Sequence, residues 1–186
     1  VMALAQLAVV VSAARAAFPV RERSIRWIVP FPPGGTSDLR TRQVAARLGA
    51  DADWNVVVEN RPGASGRIGT ALVARSEADG HTLLLGTVGT LALNPNLMPV
   101  QPYVISRDLQ PITQFSRSVS VLAAHRETGI RTLRDLERRV RSRGPLPFAS
   151  TGNATIGHMV AEIYQRRAGI PLIHVPYKGT APAVVD

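Results

Sequence analysis

Residues 28–38 read Ile-Val-Pro-Phe-Pro-Pro-Gly-Gly-Thr-Ser-Asp. An apolar pair ends in a Pro/Gly turn, and Ser37 or Asp38 stands where a helix N-cap belongs, followed by an apolar stripe through Val44 and Leu48. The stretch therefore predicts a buried strand, a tight turn and a helix start. A strand-to-helix turn of this kind gathers unpaired backbone N–H groups at one point, which suits a carboxylate or phosphate.

Working outward, the same alternation continues. Residues 25–30 are expected as a strand and 38–48 as an amphipathic helix. The β-branched run 54–59 (WNVVVE) predicts a second strand. A turn-rich loop over 60–66, a short helix over 68–76 and a buried strand over 81–86 (HTLLLG) follow. Such β-α-β-α-β order argues for a parallel sheet covered by helices, whose ligands sit at the carboxyl ends of the strands. Residues 91–108 read as a Pro- and Asn-rich connecting arm. Beyond it, a strand is expected over 119–123, a helix over 132–143, a strand over 146–149, a helix over 158–168 and a strand over 172–176. The second half thus repeats the strand, small polar loop and helix of the first, and two such loops facing each other would form a cleft.

Composition narrows the function. The chain has 186 residues, with 22 Lys and Arg against 13 Asp and Glu, a formal net charge of +9. The excess is local. Arg131, Arg134, Arg138, Arg139, Arg141 and Arg143 crowd one helical segment, which reads as a solvated basic face. Aromatic residues make up only 5% of the chain, too few for a base-stacking platform, so no nucleic-acid partner is expected. There is no cysteine, which excludes disulfides, thiolate catalysis and thiolate metal sites. His81, His125, His158 and His174 lack the spacing of a helical zinc motif and are read as surface or structural. No metal and no cofactor is expected. No G-x-S-x-G, G-x-G-x-x-G or P-loop is present, so neither a serine hydrolase nor a nucleotide-binding module is supported. Residues 2–14 are almost wholly apolar or small, and Ala14-Arg15-Ala16-Ala17 follows. This resembles the later part of a secretory signal peptide and its cleavage site.

Five segments together carry a family resemblance: IVPFPPGGTSD (28–38), VVVENRPGASGRIG (56–69), ADGHTLLLGTVGTLALNP (78–95), FASTGNATIGHM (148–159) and HVPYKGTAPAVVD (174–186). They resemble the substrate-binding proteins of tripartite tricarboxylate transporters, the TctC or Bug family, from about residue 18 onward. The resemblance implies an α/β, two-lobed periplasmic-binding-protein fold of type II, with the second lobe incomplete because family members are longer. The expected organisation is a partial signal peptide over 1–17, a first lobe over 18–120 and the start of a second over 121–186. Two segments depart from the family pattern, 49–53 (GADAD) before the second strand and 98–107 (MPVQPYVISR) in the arm, and both fall outside the expected pocket.

The function implied is that of a periplasmic receptor, a monomer and not an enzyme. It would capture a small organic carboxylate between its lobes and deliver it to the membrane subunits of a tripartite tricarboxylate-type transporter. The alternatives are an α/β enzyme acting on a small acid, and a non-functional gene fragment. In the family the ligand carboxylate is held by the first loop and the facing second-lobe loop, here 31–38 and 150–155. The candidate ligand-binding residues of the first loop are Phe31, Pro32, Gly34, Gly35 and Asp38, with Asp38 read as helix cap and loop organiser. Thr87, Gly89 and Thr90 are placed for the ligand's distal end, with helix capping as their plainer role. Ser150, Thr151 and Gly152 offer hydroxyl and amide donors. Tyr177, Lys178 and Gly179 lie past the last strand, and Lys178, the only lysine in the chain, is expected to steer or neutralise the anion.

Overall fold

The computed structural model describes residues 18–20 and 22–186. The partial signal peptide read over 1–17 lies outside the described residues. Two parallel sheets organise the rest. The first is three-stranded, in the order β2-β1-β3, from β1 (Ile25–Val29), β2 (Val56–Asn60) and β3 (Thr82–Leu84). Helix α1 (Thr36–Ala52) connects β1 to β2, and α2 (Arg67–Ala74) carries the chain from β2 to the opposite edge at β3. β1 is central and apolar for that reason: Ile25, Ile28 and Val29 are at most 1% exposed. Its one charged residue, Arg26, projects to a bidentate pair with Glu59 on β2 (2.7 and 3.1 Å). That pairing holds Glu59 far down, at about 2, chiefly through the Arg26 hydrogen bond.

Helix α2 packs so closely on β1 that only glycine fits at position 69. A Cβ there would lie 2.8 Å from the Arg61 carbonyl and 2.9 Å from Pro30 Cβ. At the amino end, Phe18 stacks edge-on against Trp54 and His81, and buried His81 accepts a hydrogen bond from the Val20 amide. His81 therefore has a structural job, as its lack of a metal-binding partner in sequence suggested.

After β3 the chain winds through a π-helical turn (Gly89–Leu93) into two one-turn helices, α3 (Asn94–Leu97) and α4 (Ile105–Asp108). The arm expected over 91–108 is thus partly helical, and Tyr103 anchors it, 3% exposed with its hydroxyl on the Thr90 carbonyl. The strand expected over 119–123 does not form: these residues have no regular structure, and Val119 and Val121 are 88% and 84% exposed. A β-branched run becomes a strand only where a neighbour supplies ladder hydrogen bonds, and no strand of either sheet lies alongside it.

The second sheet pairs β4 (Leu146–Ser150) with β5 (Leu172–Pro176) in parallel. Helix α5 (Leu133–Arg143) precedes β4, α6 (Ile156–Ala168) connects the pair, and the short α7 (Thr180–Val185) follows β5. Its small core is Leu136, Val140 and Ile170, flanked by Leu146, Tyr164 and Leu172. Helix α5 begins at a full capping box: Thr132 accepts from the Asp135 amide while the Asp135 carboxylate accepts from the Thr132 amide. Arg134, Arg138, Arg141 and Arg143 are exposed, with Arg138 and Arg141 paired along the helix with Asp135 and Glu137, whereas Arg139 is half-buried with Nη1 unpartnered, so the expected solvated basic face is largely but not wholly formed. The surface depressions on this helix, lined by Arg134, Glu137, Arg138 and Arg141, are gaps between those side chains and lie apart from the sheet ends.

Candidate functional site

The strand order β2-β1-β3 places a topological switch at β1. The connection leaving β1 goes to one side and the loop after β3 leads to the other, which opens a crevice between residues 30–35 and 86–90. The second sheet brings its own carboxyl-end loops, 151–155 and 177–179, to the same place. A Cβ built on Gly179 would stand 3.2 Å from the Pro32 ring. One on Gly152 would stand 3.5 Å from Ser65 Oγ, and one on Gly89 3.9 Å from the Ala154 carbonyl. All four loops named from the sequence therefore converge.

The first loop is held from behind by Asp38. Helix α1 starts at Thr36 with Gly35 as N-cap, so neither Ser37 nor Asp38 occupies the cap position expected for it. Asp38 lies in the first turn, 3% exposed, and reaches back: its carboxylate accepts from the Gly34 amide (2.9 Å), Arg42 Nε (3.0 Å) and Asn60 Nδ2 (2.9 Å). The organising role holds and the cap position is corrected. The helix begins two residues earlier because Gly34, at φ +80°, makes the turn there with its amide on the Asp38 carboxylate. Burial works to raise the Asp38 carboxyl, but the bonds from Arg42, Gly34 and Asn60 outweigh it and hold the group below the ordinary carboxylate range. The ionised carboxylate is matched by Arg42, so it does not oppose an anion in front of the loop. Asn60 also donates to the Phe31 carbonyl at 3.0 Å. The amides of Thr36 and Ser37, at the start of α1, have no intrahelical acceptor.

The remaining sequence-named residues differ in availability. Phe31, Pro32 and Gly35 are half-buried and Gly34 is exposed. Thr87 and Gly89 are half-buried. Thr90 is fully buried, and it and Thr87 bond each other's amides (3.0 and 3.3 Å), which is the plainer capping role. Ser150 and Gly152 are buried, Thr151 and Tyr177 half-buried, Lys178 exposed and Gly179 buried. Thr155 closes the loop by donating to the Gly152 carbonyl at 2.7 Å, and it is the N-cap residue of α6.

Two features escaped sequence reading. One is the turn 63–66, where Gly63, Ala64, Ser65 and Gly66 all take positive φ (130°, 45°, 56° and 90°). Two non-glycine residues in the left-handed region cost about 1–2 kcal/mol each, and strain of this kind concentrates at sites of recognition. Here it turns Ser65 Oγ toward Gly152. The flanking Pro-Gly and Ser-Gly pairs signalled a turn, but not its conformation. The other is a stack of Phe148, His174 and His158 beneath the 150–155 loop. Among the described residues no group of three or more His, Cys, Asp or Glu side chains is placed to hold a metal ion, and no helix is long and apolar enough to cross a membrane.

Two parallel sheets with converging carboxyl-end loops fit a periplasmic-binding-protein type of α/β fold. Comparison with known proteins agrees. The family described as tripartite tricarboxylate transporter family receptor matches residues 41–186, and the chain belongs to that TctC/Bug family. It is 38% identical to BugT of Bordetella pertussis over 98% of its own length and 58% of BugT. It is also 38% identical to a Pseudomonas sp. (strain P51) protein of the UPF0065 group, over 56% of that protein. Among solved structures, a Rhodopseudomonas palustris protein with adipate superposes with a TM-score of 0.86 at 32% identity, covering 91% of this chain and 56% of that one. MatC from the same species, with bound malate, gives 0.71 at 28% identity, covering 90% and 57%. The chain thus spans a little over half the length of these relatives.

Proposed function

We propose that the protein is a periplasmic solute receptor that captures a small organic carboxylate between the loops of its two sheets, as the recognition subunit of a tripartite tricarboxylate-type transporter. The observation that carries this reading is the convergence of four loops rich in backbone N–H and hydroxyl donors at the carboxyl ends of both sheets. Likeness to proteins solved with adipate and malate supports the ligand class. The division into a first lobe ending near residue 120 and a second beginning near 121 belongs to the same proposal. Phe31, Pro32, Gly34 and Gly35 form one wall and Ser150, Thr151 and Gly152 the facing one. Thr87 and Gly89 lie at the distal end. Thr90 and Asp38 act behind these walls, by holding them. Tyr177, Lys178 and Gly179 flank the entrance, with Lys178 exposed and free to meet an incoming anion. Nothing in this role requires a reacting group.

The test is isothermal titration of the purified protein with adipate and with malate, alongside native mass spectrometry of protein recovered from its source cell. Saturable binding of either acid, weakened in a Lys178→Ala variant, supports the reading. Absence of binding together with recovery of a chemically altered acid would replace the receptor with an enzyme.

A further inference from the structure

The second-sheet loop rests on a histidine stack. His174 on β5 lies over Phe148, its partner across the β4–β5 ladder, with ring centroids 5.0 Å apart. His158, in the first turn of α6, stacks on the other face of His174 at 3.9 Å and 8°. Each imidazole grips the loop. The Ala154 amide donates to His158 Nδ1 at 3.1 Å, and Ser150 Oγ lies 2.6 Å from His174 Nε2. The Gly152 amide in turn donates to Ser150 Oγ at 3.2 Å. An N–H aimed at Nδ1 requires a lone pair there, so His158 is neutral in this arrangement, with its proton on Nε2 facing Glu162 Oε1 at 3.7 Å. Ser150 Oγ also reaches the Gly152 carbonyl at 3.1 Å, so His174 Nε2 can accept from this hydroxyl or donate to it.

We infer that His158, with His174 stacked on it, is a positioning residue that holds the 150–155 loop in its ligand-facing shape only while its Nδ1 is free to accept the Ala154 amide, so that acid loosens the loop and lowers ligand affinity. This rests on the receptor reading for its ligand arm only. A proton arriving at His158 must take Nδ1, the atom the Ala154 amide occupies. The ring then gives up the loop, while its Nε2 still faces Glu162. Two imidazolium rings at 3.9 Å would also repel each other. The groups facing the pair are Glu162 from α6, and Phe148 and Ser150 from β4. Tyr177 at the end of β5 is engaged by Asp186. Burial, then the neighbouring His158, lowers the His174 pKa, with Glu162 opposing. A histidine lowered in this way favours the ordered loop above its free value near 6.5 and withdraws that support as pH falls below it.

The test has two arms on the intact gene product. In the first, histidine-labelled protein without ligand is titrated by NMR. The Gly152 and Ala154 amide signals should move in step with the imidazole signals of His158 and His174. Amides that stay fixed while both rings titrate would overturn the inference, whatever the protein binds. In the second, adipate affinity is measured from neutral to acid pH. It should fall by about tenfold per pH unit for each proton that must be shed. His158→Asn, whose amide oxygen can accept the Ala154 N–H but cannot be protonated, should bind at neutral pH with a flattened profile, whereas His158→Ala should bind weakly throughout. Affinity that rises on acidification, or Asn and Ala variants that behave alike, would also overturn it. Should neither adipate nor malate bind at any pH, the receptor reading fails and the first arm alone decides the positioning role.

Discussion

Asp38→Asn should cost the protein about 1–4 kcal/mol, although it replaces a single oxygen by an amino group. The carboxylate takes the Gly34 amide on Oδ2, and Arg42 Nε and Asn60 Nδ2 on Oδ1. An asparagine offers one acceptor and one donor in the same space. With its oxygen toward Arg42 and Asn60, its NH2 confronts the Gly34 N–H; flipped, it confronts the two side chains. Either way a donor is stranded beside a site only 3% exposed, which costs about 1–3 kcal/mol. Loss of the charge adds less than about 1 kcal/mol, because Arg42 is 49% exposed and well screened. For a domain of this size the sum lowers Tm by about 2–16 °C. Urea denaturation with an unchanged m-value reads it directly. The control is Asp51→Asn, whose pair with Arg47 is exposed on both sides (77% and 54%) and should matter by less than about 0.5 kcal/mol. Equal effects from the two substitutions would refute the claim that Asp38 is the rear anchor of the loop.

Acid should weaken the first sheet through Glu59. Its carboxyl is lowered from 4.5 to about 2, so the Arg26 pair stabilises the fold above the unfolded value and that support is lost as pH falls from there toward 2; Glu59→Gln should flatten this limb of a stability–pH curve. Gly69→Ala should destabilise by about 1–3 kcal/mol despite better helix propensity, because the new Cβ meets Pro30 and the Arg61 carbonyl below 3 Å. Gly157→Ala, where the nearest atom is 3.9 Å away, should instead gain about 0.5 kcal/mol; thermal melts of both variants separate packing from propensity. Thr132→Ala should remove the α5 capping box and cost about 1 kcal/mol, read as a shift in the urea midpoint.

Where the sequence was readable, local signals and tertiary context agreed. Strand β1 came within a residue of its expected end because an apolar run met Pro30, and β5 matched its expected bounds because Ile170-Pro171 and the 177–179 turn bracket it. The misses share one cause. At 119–123 the β-branched pattern was present but its ladder partner was not. At 35–38 several capping candidates stood in a row, and the cap fell to Gly35, after a turn at Gly34 whose amide the Asp38 carboxylate holds.

The same distinction separates the parts of the candidate site. The loops proposed as its front wall could be located because glycines, prolines and hydroxyl residues between a strand and a helix mark a turn and a helix start. Its rear supports could not, because each is a long-range coincidence. Asn60 ends β2, yet it closes the network of a loop 22 to 29 positions away. His158 and His174 stand sixteen positions apart, and neither carries a local motif. They become a stacked pair only because β4 and β5 are parallel neighbours and α6 returns across them. A sequence announces the residues that face a ligand through turn chemistry, whereas those that hold them in place emerge from topology. That is why the variants most informative about this protein lie behind the loops, at Asp38, Asn60, His158 and His174.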